Sequence, residues 1–298
     1  MSILPNFLII GMAKAGTTAL FAALKQHPQI FMSRIKEPRF FAFMNDPPRF
    51  GGPSFHDYIQ SSTITEIADY EALFADAGAK KARGEASTIY SYYPGDKPAV
   101  YIRNYLPDVR LIILLRQPAA RTYANFVHCI RNDWEPLDNF VQALADEPRR
   151  IRDNWSYFLR YRQNSDYPTQ LQRYYDRYDR RQISVYLYDD LCKAPLTLVQ
   201  DVFRFLEVDD SFVPNISGRY NVSLLPISLR IHRVLNRMRR ATTIASLRRI
   251  IGRVIRLNLY RPTIPADIYE ELTDEFRPDI MLLQDMIDRD LKNWISGG

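Results

Sequence analysis

A chain of 298 residues is long for one domain but within the range of a single α/β unit, and its 46% of hydrophobic residues excludes an intrinsically disordered chain. The net charge of +6 suits an anionic ligand, nucleic acid or an acidic membrane face without choosing among them. Two cysteines exclude a disulfide-rich scaffold and favour a reducing, cytoplasmic compartment.

The first predicted element is an apolar stretch over residues 3–10, which leads directly into a glycine-bounded loop. It is too short to span a membrane and has no basic region before it, so we expect a buried strand rather than a signal peptide or an anchor. Apolar runs predict buried parallel strands at Phe7–Ile10, Leu111–Leu115 and Ile183–Leu187, and a weaker strand at Lys81–Ala86.

Helical patterns lie between these strands, at Thr17–Gln26, Lys97–Tyr105, Pro118–Arg131, Asp166–Tyr178 and Pro195–Leu206. The alternation predicts an α/β fold in which a central parallel sheet is flanked by helices and ligands bind beyond the carboxyl ends of the strands. Residues 45–62 and 208–228 are rich in Pro, Gly, Ser and Asn and predict loops. Neither has the character of an interdomain linker, so residues 1–298 are predicted to form a single domain.

The loop after the first strand carries the most specific pattern of the chain. Its glycines, Gly11 and Gly16, have the spacing of a nucleotide-triphosphate P-loop, but Thr17 stands where that loop needs lysine, and the lysine is Lys14. Backbone amides from Ala15 to Thr18 can surround an anionic oxygen at a helix start, and Lys14 adds a full charge. The alternative is a structural turn without a ligand.

The strand Leu111–Leu115 ends in Arg116, where an NTPase has an acidic residue that assists Mg²⁺. An arginine would repel a metal ion and bind a phosphate with its planar fork. The displaced lysine of the loop and the arginine at this strand end both argue against Mg²⁺-dependent phosphoryl transfer. Arg121, in the following helix, is a candidate for pairing with an acid instead.

Two further segments contain candidate catalytic carboxylates. Glu37 lies among Arg34, Lys36 and Arg39 and could act as a general base toward an acceptor hydroxyl; a surface ion pair with Lys36 or Arg39 is the alternative. After the weak strand come Glu85, Ser87 and Thr88, which could face the same cleft, although helix N-capping by Ser87 or Thr88 explains the two hydroxyls equally well.

Together and in this order, these segments resemble a sulfotransferase that uses 3′-phosphoadenosine 5′-phosphosulfate. Lys14–Thr18 resembles the family's 5′-phosphosulfate loop, and Arg116–Arg121 resembles its 3′-phosphate motif. Lys36–Phe41 is similar to the segment that bears the catalytic glutamate in carbohydrate-type and many bacterial members. The resemblance covers nearly the whole chain and implies a P-loop NTPase-like sulfotransferase fold with extra C-terminal helices.

The resemblance implies in-line transfer of a sulfuryl group to an acceptor hydroxyl, without a metal and with release of adenosine 3′,5′-bisphosphate. Glu37 would be the base and Lys14 would neutralise the leaving charge. The acceptor is expected to be a glycan, a glycolipid or a small alcohol. The implied donor-binding residues are Lys14, Ala15, Gly16, Thr17, Thr18, Arg116, Asn125 and Arg219, and the implied acceptor-binding residues are Lys36, Glu85 and Thr88.

The sequence departs from the family at two points. The family's phosphate-binding serine is replaced by Ala124, for which the neighbouring Asn125 could substitute. The C-terminal Arg-Lys-Gly signature is missing, and Arg219 in Gly218–Asn221 is a loose replacement. His128, one turn beyond Ala124, is interpreted as a helix-packing histidine rather than a residue that reaches the cleft.

Residues 229–256 hold nine arginines and no acidic residue, and their apolar residues recur at helical spacing. They predict two amphipathic helices that either pack on the domain with a solvated basic face or bind an anionic or membrane-borne acceptor. No aromatic–basic interleaving is present, so no nucleic-acid partner is expected.

Two alternatives remain open from the sequence. One is a Mg²⁺-dependent nucleotide kinase or NTPase, and the other is an inactive nucleotide-binding protein on the same fold, which Ala124 encourages.

Overall fold

A computed structural model of the chain describes residues 4–53, 56–216 and 224–296. Its centre is a five-stranded sheet of order β2-β3-β1-β4-β5, and every pair of neighbouring strands is parallel. The strands are β1 (Phe7–Gly11), β2 (Ile30–Met32), β3 (Ala82–Ala86), β4 (Arg110–Leu115) and β5 (Ile183–Leu187). The prediction of an α/β fold with a central parallel sheet flanked by helices is therefore confirmed.

The helices, in chain order, are α1 (Thr17–Leu24), α2 (Phe40–Phe43), α3 (His56–Ser62), α4 (Ile67–Ala72), α5 (Ile89–Tyr92), α6 (Lys97–Tyr105), α7 (Pro118–Arg131), α8 (Phe140–Ala145), α9 (Glu147–Arg152), α10 (Tyr167–Tyr175), α11 (Tyr188–Lys193), α12 (Pro195–Phe205), α13 (Leu229–Ala241), α14 (Ala245–Leu257), α15 (Ala266–Ile287) and α16 (Lys292–Ile295). Four short 3₁₀ turns lie at Ala75–Ala77, Tyr157–Leu159, Gln163–Ser165 and Arg180–Gln182. A separate antiparallel ribbon pairs β6 (Leu225–Pro226) with β7 (Leu259–Tyr260).

The central strands are buried at nearly every residue because helices cover both faces of a parallel sheet. Every residue of β1 is buried, and Leu111–Leu115 of β4 are at most 1% exposed. This double burial explains why these strands are continuous apolar runs in the sequence rather than alternating ones. No helix within the described ranges is both long enough and apolar enough to cross a membrane.

The C-terminal helices dock beside the end of β4. The Gln117 side chain donates to the Thr273 hydroxyl of α15 (3.0 Å) and to the Trp294 carbonyl of α16 (3.3 Å). The buried Trp294 indole donates to Asp189 at 2.8 Å. These helices therefore brace the segments that follow β4 and β5, where the site lies.

The structure differs from the predicted elements in a few places. The predicted loop over residues 45–62 is wrong in its second half, where α3 (His56–Ser62) forms once the Pro- and Gly-rich stretch has ended. The short strand β2 and the long helix α15 were not predicted; β2 has three residues, and α15 carries Pro278 in its interior.

Candidate active site

A cavity of about 950 Å³ opens at the carboxyl ends of the central strands. This is the edge where parallel α/β sheets bind ligands. Among the described residues that line it, five cationic side chains accompany a single carboxylate. The cavity therefore favours an anion. The cations are Lys14, Lys36, Arg39, Arg116 and Arg261, and the carboxylate is Glu37.

The loop between β1 and α1 turns through Gly16, which has a φ of +96° and is the N-cap of α1. A Cβ at this position would lie 2.6 Å from Leu191 Cδ2, so both the backbone angle and the space require glycine. Within the described parts of the chain, the amides of Gly16 and Thr17 donate to no protein acceptor. Both residues line the cavity, together with Thr18, and the loop is therefore a cradle for anionic oxygens.

Ala15 has a different position from the rest of this loop. Its amide donates to the Met12 carbonyl at 3.2 Å, its side chain is fully buried, and it does not line the cavity. Ala15 therefore shapes the loop from within.

Lys14 stands at a left-handed φ of +70° and lines the cavity. Burial lowers its pKa to about 8, and the neighbouring charge of Arg116 acts in the same direction. No carboxylate in the described ranges pairs with its ammonium group. A desolvated lysine without a protein counter-ion favours binding of an external anion.

Arg116 follows β4 directly and fastens this strand end to the anion loop. Its guanidinium donates to the Lys14 carbonyl at 3.2 Å and lies 4.7 Å from the centre of the Tyr188 ring. The Tyr167 hydroxyl donates to the Arg116 carbonyl at 2.7 Å. Burial raises the pKa of Tyr167 to about 12, which keeps this donor protonated. Tyr188 also lines the cavity and was not predicted as a site residue.

Glu37 reaches the cavity on a segment that continues beside β3 after β2 has ended. Its amide donates to the Ala86 carbonyl at 2.8 Å. Its carboxylate accepts from the Thr88 amide (3.0 Å) and the Thr88 hydroxyl (3.1 Å). The Lys36 ammonium is 3.4 Å away, so the ion pair considered as the alternative is present, but it lies on the cavity wall rather than on the open surface.

The two hydroxyl residues after β3 hold this segment in place. Ser87 Oγ accepts from the Arg39 amide at 2.9 Å, and Thr88 donates to Glu37 as described above. Thr88 stands at the N-cap of α5, but its side chain forms no capping hydrogen bond. The N-capping interpretation of these hydroxyls is therefore wrong.

Glu85 does not reach the cavity, although the sequence analysis expected it to contact the acceptor. It is fully buried in β3 and accepts from the Tyr90 hydroxyl (2.8 Å) and the Tyr70 hydroxyl (3.4 Å). Burial raises the pKa of Glu85 to about 8. The expectation was wrong because side chains alternate between the two faces of a strand. The position of Glu85 in the sequence did not show which face its side chain would take.

The residues of α7 divide between the cavity and the core. Ala124 lines the cavity, whereas Asn125 is fully buried and donates to the Phe158 carbonyl at 2.7 Å. Adjacent residues of a helix point about 100° apart, so Asn125 is not brought to the position of the missing serine. Arg121 is also buried; it donates to Ser165 Oγ (2.7 Å) and to the Tyr161 carbonyl (2.5 Å) rather than to an acid.

His128 belongs to a set of aromatic residues, the aromatic wall, that line the cavity. Its ring centre lies 5.2 Å from that of Trp134 and 5.8 Å from that of Phe158, and it also lines the cavity. Burial, together with the charge of Lys14, lowers the pKa of His128 to about 3, so the ring is neutral. It thus packs as predicted and reaches the cleft as well. The other aromatic residues of the wall are Phe50, Tyr92, Tyr123 and Tyr157.

The C-terminal part of the chain adds a cation that the sequence analysis missed. The β6–β7 ribbon delivers Arg261 to the cavity, directly after Tyr260 of β7. The predicted Arg219 lies outside the described residues. In the sequence, Arg261 is marked by the Arg-Pro pair that it forms with Pro262, just beyond the arginine-rich residues 229–256. Such a pair is by itself a weak indicator of a binding residue. In the described part of the chain, no group of three or more His, Cys, Asp or Glu could hold a metal ion.

Comparison with known proteins gives one consistent family. A family model described as "Sulfotransferase family" matches residues 5–211. The crystal structure of a sulfotransferase from Alicyclobacillus acidocaldarius superposes with a TM-score of 0.78 and 31% sequence identity, covering 98% of this chain and 99% of that one. The structural match thus extends through the C-terminal helices that the family model does not reach.

Curated relatives share parts of the sequence. Human carbohydrate sulfotransferase 15 is 26% identical over 171 residues, which is 48% of this chain and 30% of that protein. The bifunctional heparan sulfate N-deacetylase/N-sulfotransferase of Drosophila melanogaster is 25% identical over 229 residues, which is 74% of this chain and 21% of that protein. The chain spans less than a third of the length of these two relatives.

Proposed function

Since this chain belongs to the sulfotransferase family, we propose that it transfers a sulfuryl group from 3′-phosphoadenosine 5′-phosphosulfate to an acceptor hydroxyl. One observation carries the proposal: a lysine-bearing anion loop and a carboxylate suited to act as a base line the same cationic cavity. The spacing of Gly11 and Gly16 by itself is also compatible with phosphoryl transfer. Membership of the sulfotransferase family favours sulfuryl transfer instead.

The donor end of the site is the loop with its two neighbouring arginines. The amides of Gly16 and Thr17 and the ammonium of Lys14 would hold the 5′ group, because none of these donors has an acceptor among the described residues. Arg116 and Arg261 would hold the 3′-phosphate, since both line the cavity and both act electrostatically on Tyr188. When bound, this donor supplies the activated sulfuryl group and leaves as adenosine 3′,5′-bisphosphate.

The acceptor end is built around Glu37. Thr88 fixes the carboxylate through two hydrogen bonds, so Glu37 would accept the proton of the attacking hydroxyl without first having to reorient. Lys14 would stabilise the charge that develops as the donor leaves, as a preorganised cation does at other anion sites. Lys36, 3.4 Å from Glu37, would place a positive charge beside the base.

The aromatic wall supports a glycan or a lipid-linked alcohol as the acceptor. Flat rings such as Trp134, Tyr157 and Phe158 bind the apolar faces of sugar rings and hydrocarbon chains, while the neutral His128 adds a hydrogen-bonding edge. The names of the relatives, a carbohydrate sulfotransferase and a heparan sulfate N-sulfotransferase, agree with a glycan acceptor.

Thermal shift with adenosine 3′,5′-bisphosphate, compared with ATP plus Mg²⁺, tests the donor. We expect stabilisation by the bisphosphate in the presence of a chelator and little effect of ATP plus Mg²⁺. Stabilisation by ATP plus Mg²⁺ and not by the bisphosphate would instead favour a kinase or NTPase. Transfer of labelled sulfate from the donor then separates an enzyme from an inactive nucleotide-binding protein, which would bind the bisphosphate but label no acceptor.

A further inference from the structure

Helices α13 and α14 present a row of apolar side chains to solvent. On α13, Ile231, Val234 and Met238 are 50–58% exposed at a spacing of three and four residues. On α14, four apolar residues repeat the same spacing and are 39–80% exposed. Residues at this spacing share one face of a helix, so each helix carries a continuous exposed stripe. The α14 residues are Leu247, Ile250, Val254 and Leu257.

A different face of α13 attaches the pair to the rest of the protein. His232 is 1% exposed and its Nε2 lies 2.8 Å from the Arg131 carbonyl at the end of α7. Asn236 donates to Asp133 (3.1 Å), and Arg233 pairs with Asp138 (2.6 Å). These contacts fix the orientation of α13, and none of them uses the apolar stripe. The stripe is therefore not part of the core.

The charge around the stripes has one sign. Residues 229–256 contain nine arginines and no acidic residue. Arg233 and Arg240 pair with Asp138 and Asp133. The other seven have no acidic partner among the residues that the structure describes. They are Arg230, Arg237, Arg239, Arg248, Arg249, Arg253 and Arg256.

We propose that α13 and α14 dock on the surface of a membrane that contains anionic phospholipids. Such a surface satisfies both features at once, because lipid phosphates pair with arginines while the apolar stripe enters the boundary between headgroups and acyl chains. A second copy of the chain fits less well, since it would bring unpaired arginines against unpaired arginines. A soluble polyanion would pair with the arginines but would leave the apolar stripes exposed to water.

The position of the pair connects this surface with the cavity. β7 (Leu259–Tyr260) begins one residue after Asn258, the C-cap of α14, and leads directly to Arg261 and Pro262 on the cavity wall. Docking would therefore hold the cavity close to the lipid surface. The binding step itself does not depend on the proposed sulfuryl transfer, and its test needs no activity.

Co-sedimentation of the full chain with vesicles tests the proposal. Vesicles of phosphatidylcholine alone are compared with vesicles that also contain phosphatidylglycerol, at low and high salt. We expect binding to the anionic vesicles only and weaker binding in salt. Replacement of Arg237, Arg249, Arg253 and Arg256 by Gln should weaken that binding by more than about tenfold. Arg152→Gln, at an exposed arginine of α9, is the control for loss of one surface charge outside the two helices and should bind like the wild type.

The apolar stripe is tested separately with Val234→Ser, Ile250→Ser and Val254→Ser in one variant. These side chains are 42–58% exposed, so the fold should be kept, as judged by circular dichroism, while vesicle binding falls by more than about tenfold. Normal vesicle binding by this folded variant would contradict the proposal. So would equal binding to neutral vesicles, or a concentration-dependent dimer that the same substitutions abolish.

Discussion

At the scale of single residues, the site is organised before any ligand arrives. Glu37 and Arg39 both have left-handed backbone angles, with φ of +65° and +57°, which non-glycine residues adopt at a cost of about 1–3 kcal/mol each. Ser87 and Thr88 hold these two residues through three hydrogen bonds to the Arg39 amide and the Glu37 carboxylate. These hydrogen bonds offset the cost of the strained backbone at the residue proposed as the base.

Thr88→Val should lower kcat by about tenfold or more, because the carboxylate loses a charge-assisted hydrogen bond and with it one of two restraints. Thr88 acts through Glu37, so we expect little change in the affinity for adenosine bisphosphate. Thr88→Ser retains the hydroxyl and is the matched control; it should recover most of the activity in steady-state assays. A loss in Thr88→Ser as large as that in Thr88→Val would contradict this role, because Thr88→Ser keeps the hydrogen bond to Glu37.

Burial lowers the pKa of Lys14 to about 8, which predicts that the pH profile of kcat/KM has a falling limb on its alkaline side. Below this pKa the ammonium is charged and would bind the proposed donor. As the pH rises through the pKa the charge is lost, so kcat/KM should decrease above about pH 8. Lys14→Arg keeps its charge at every accessible pH and should remove the limb while lowering the maximum.

Glu85 provides the control for this pH profile, because burial raises its pKa to a similar value of about 8. It lies in the core, away from the cavity, so Glu85→Gln should retain the limb in kcat/KM. If Glu85→Gln abolishes the limb and Lys14→Arg retains it, the limb belongs to Glu85.

At the scale of elements, the site is a set of strand ends. Its charged part follows the strands of the central sheet: the anion loop follows β1, Glu37 follows β2, Thr88 follows β3, and Arg116 follows β4. The sheet order places β1 between β3 and β4, which brings the anion loop between the base and the arginine. A local change in the loop should therefore affect donor binding more than the fold.

Gly16→Ala tests the loop as a unit. The substitution would put a side chain at a φ of +96° and a Cβ 2.6 Å from Leu191. We therefore expect the free energy of unfolding to fall by about 1–3 kcal/mol and calorimetry to show at least tenfold weaker bisphosphate binding. Gly95→Ala is the matched control, because Gly95 has a φ of +89° but no atom within 4 Å of its Cβ. It should lose stability from the backbone alone and bind the bisphosphate normally. Unchanged bisphosphate affinity in Gly16→Ala would exclude the loop as the anion cradle.

The elements also show what the sequence could predict. β1, β4 and β5 were found to within a residue, because buried parallel strands leave uninterrupted apolar runs. Lys14 and Arg116 were placed on the cavity because each follows a recognisable strand end, and Glu37 because it is a single carboxylate among cations. The directions of Glu85 and Asn125 were not predictable, since spacing does not say which way a single side chain points. Arg261 and the aromatic wall depend on contacts between distant segments, which a local pattern does not encode.

At the scale of the whole molecule, a cationic cavity and an arginine-rich pair of helices meet at the β6–β7 ribbon. The structural match to the bacterial sulfotransferase covers 98% of the chain, so the C-terminal helices belong to a shared architecture. The sulfuryl-transfer proposal and the membrane proposal depend on different residues of this architecture, and each can fail without the other.

The central claim is that Glu37 is the base of a sulfuryl transfer, and the most direct measurement is labelled sulfate transfer by the wild type and by Glu37→Gln. Unsulfated glycan oligosaccharides and long-chain alcohols serve as acceptors, and bisphosphate affinity is measured in parallel. We predict equal bisphosphate affinity and a turnover lowered by about 10²–10⁴ in Glu37→Gln, as expected for loss of a general base. Turnover by Glu37→Gln close to that of the wild type would contradict the assignment.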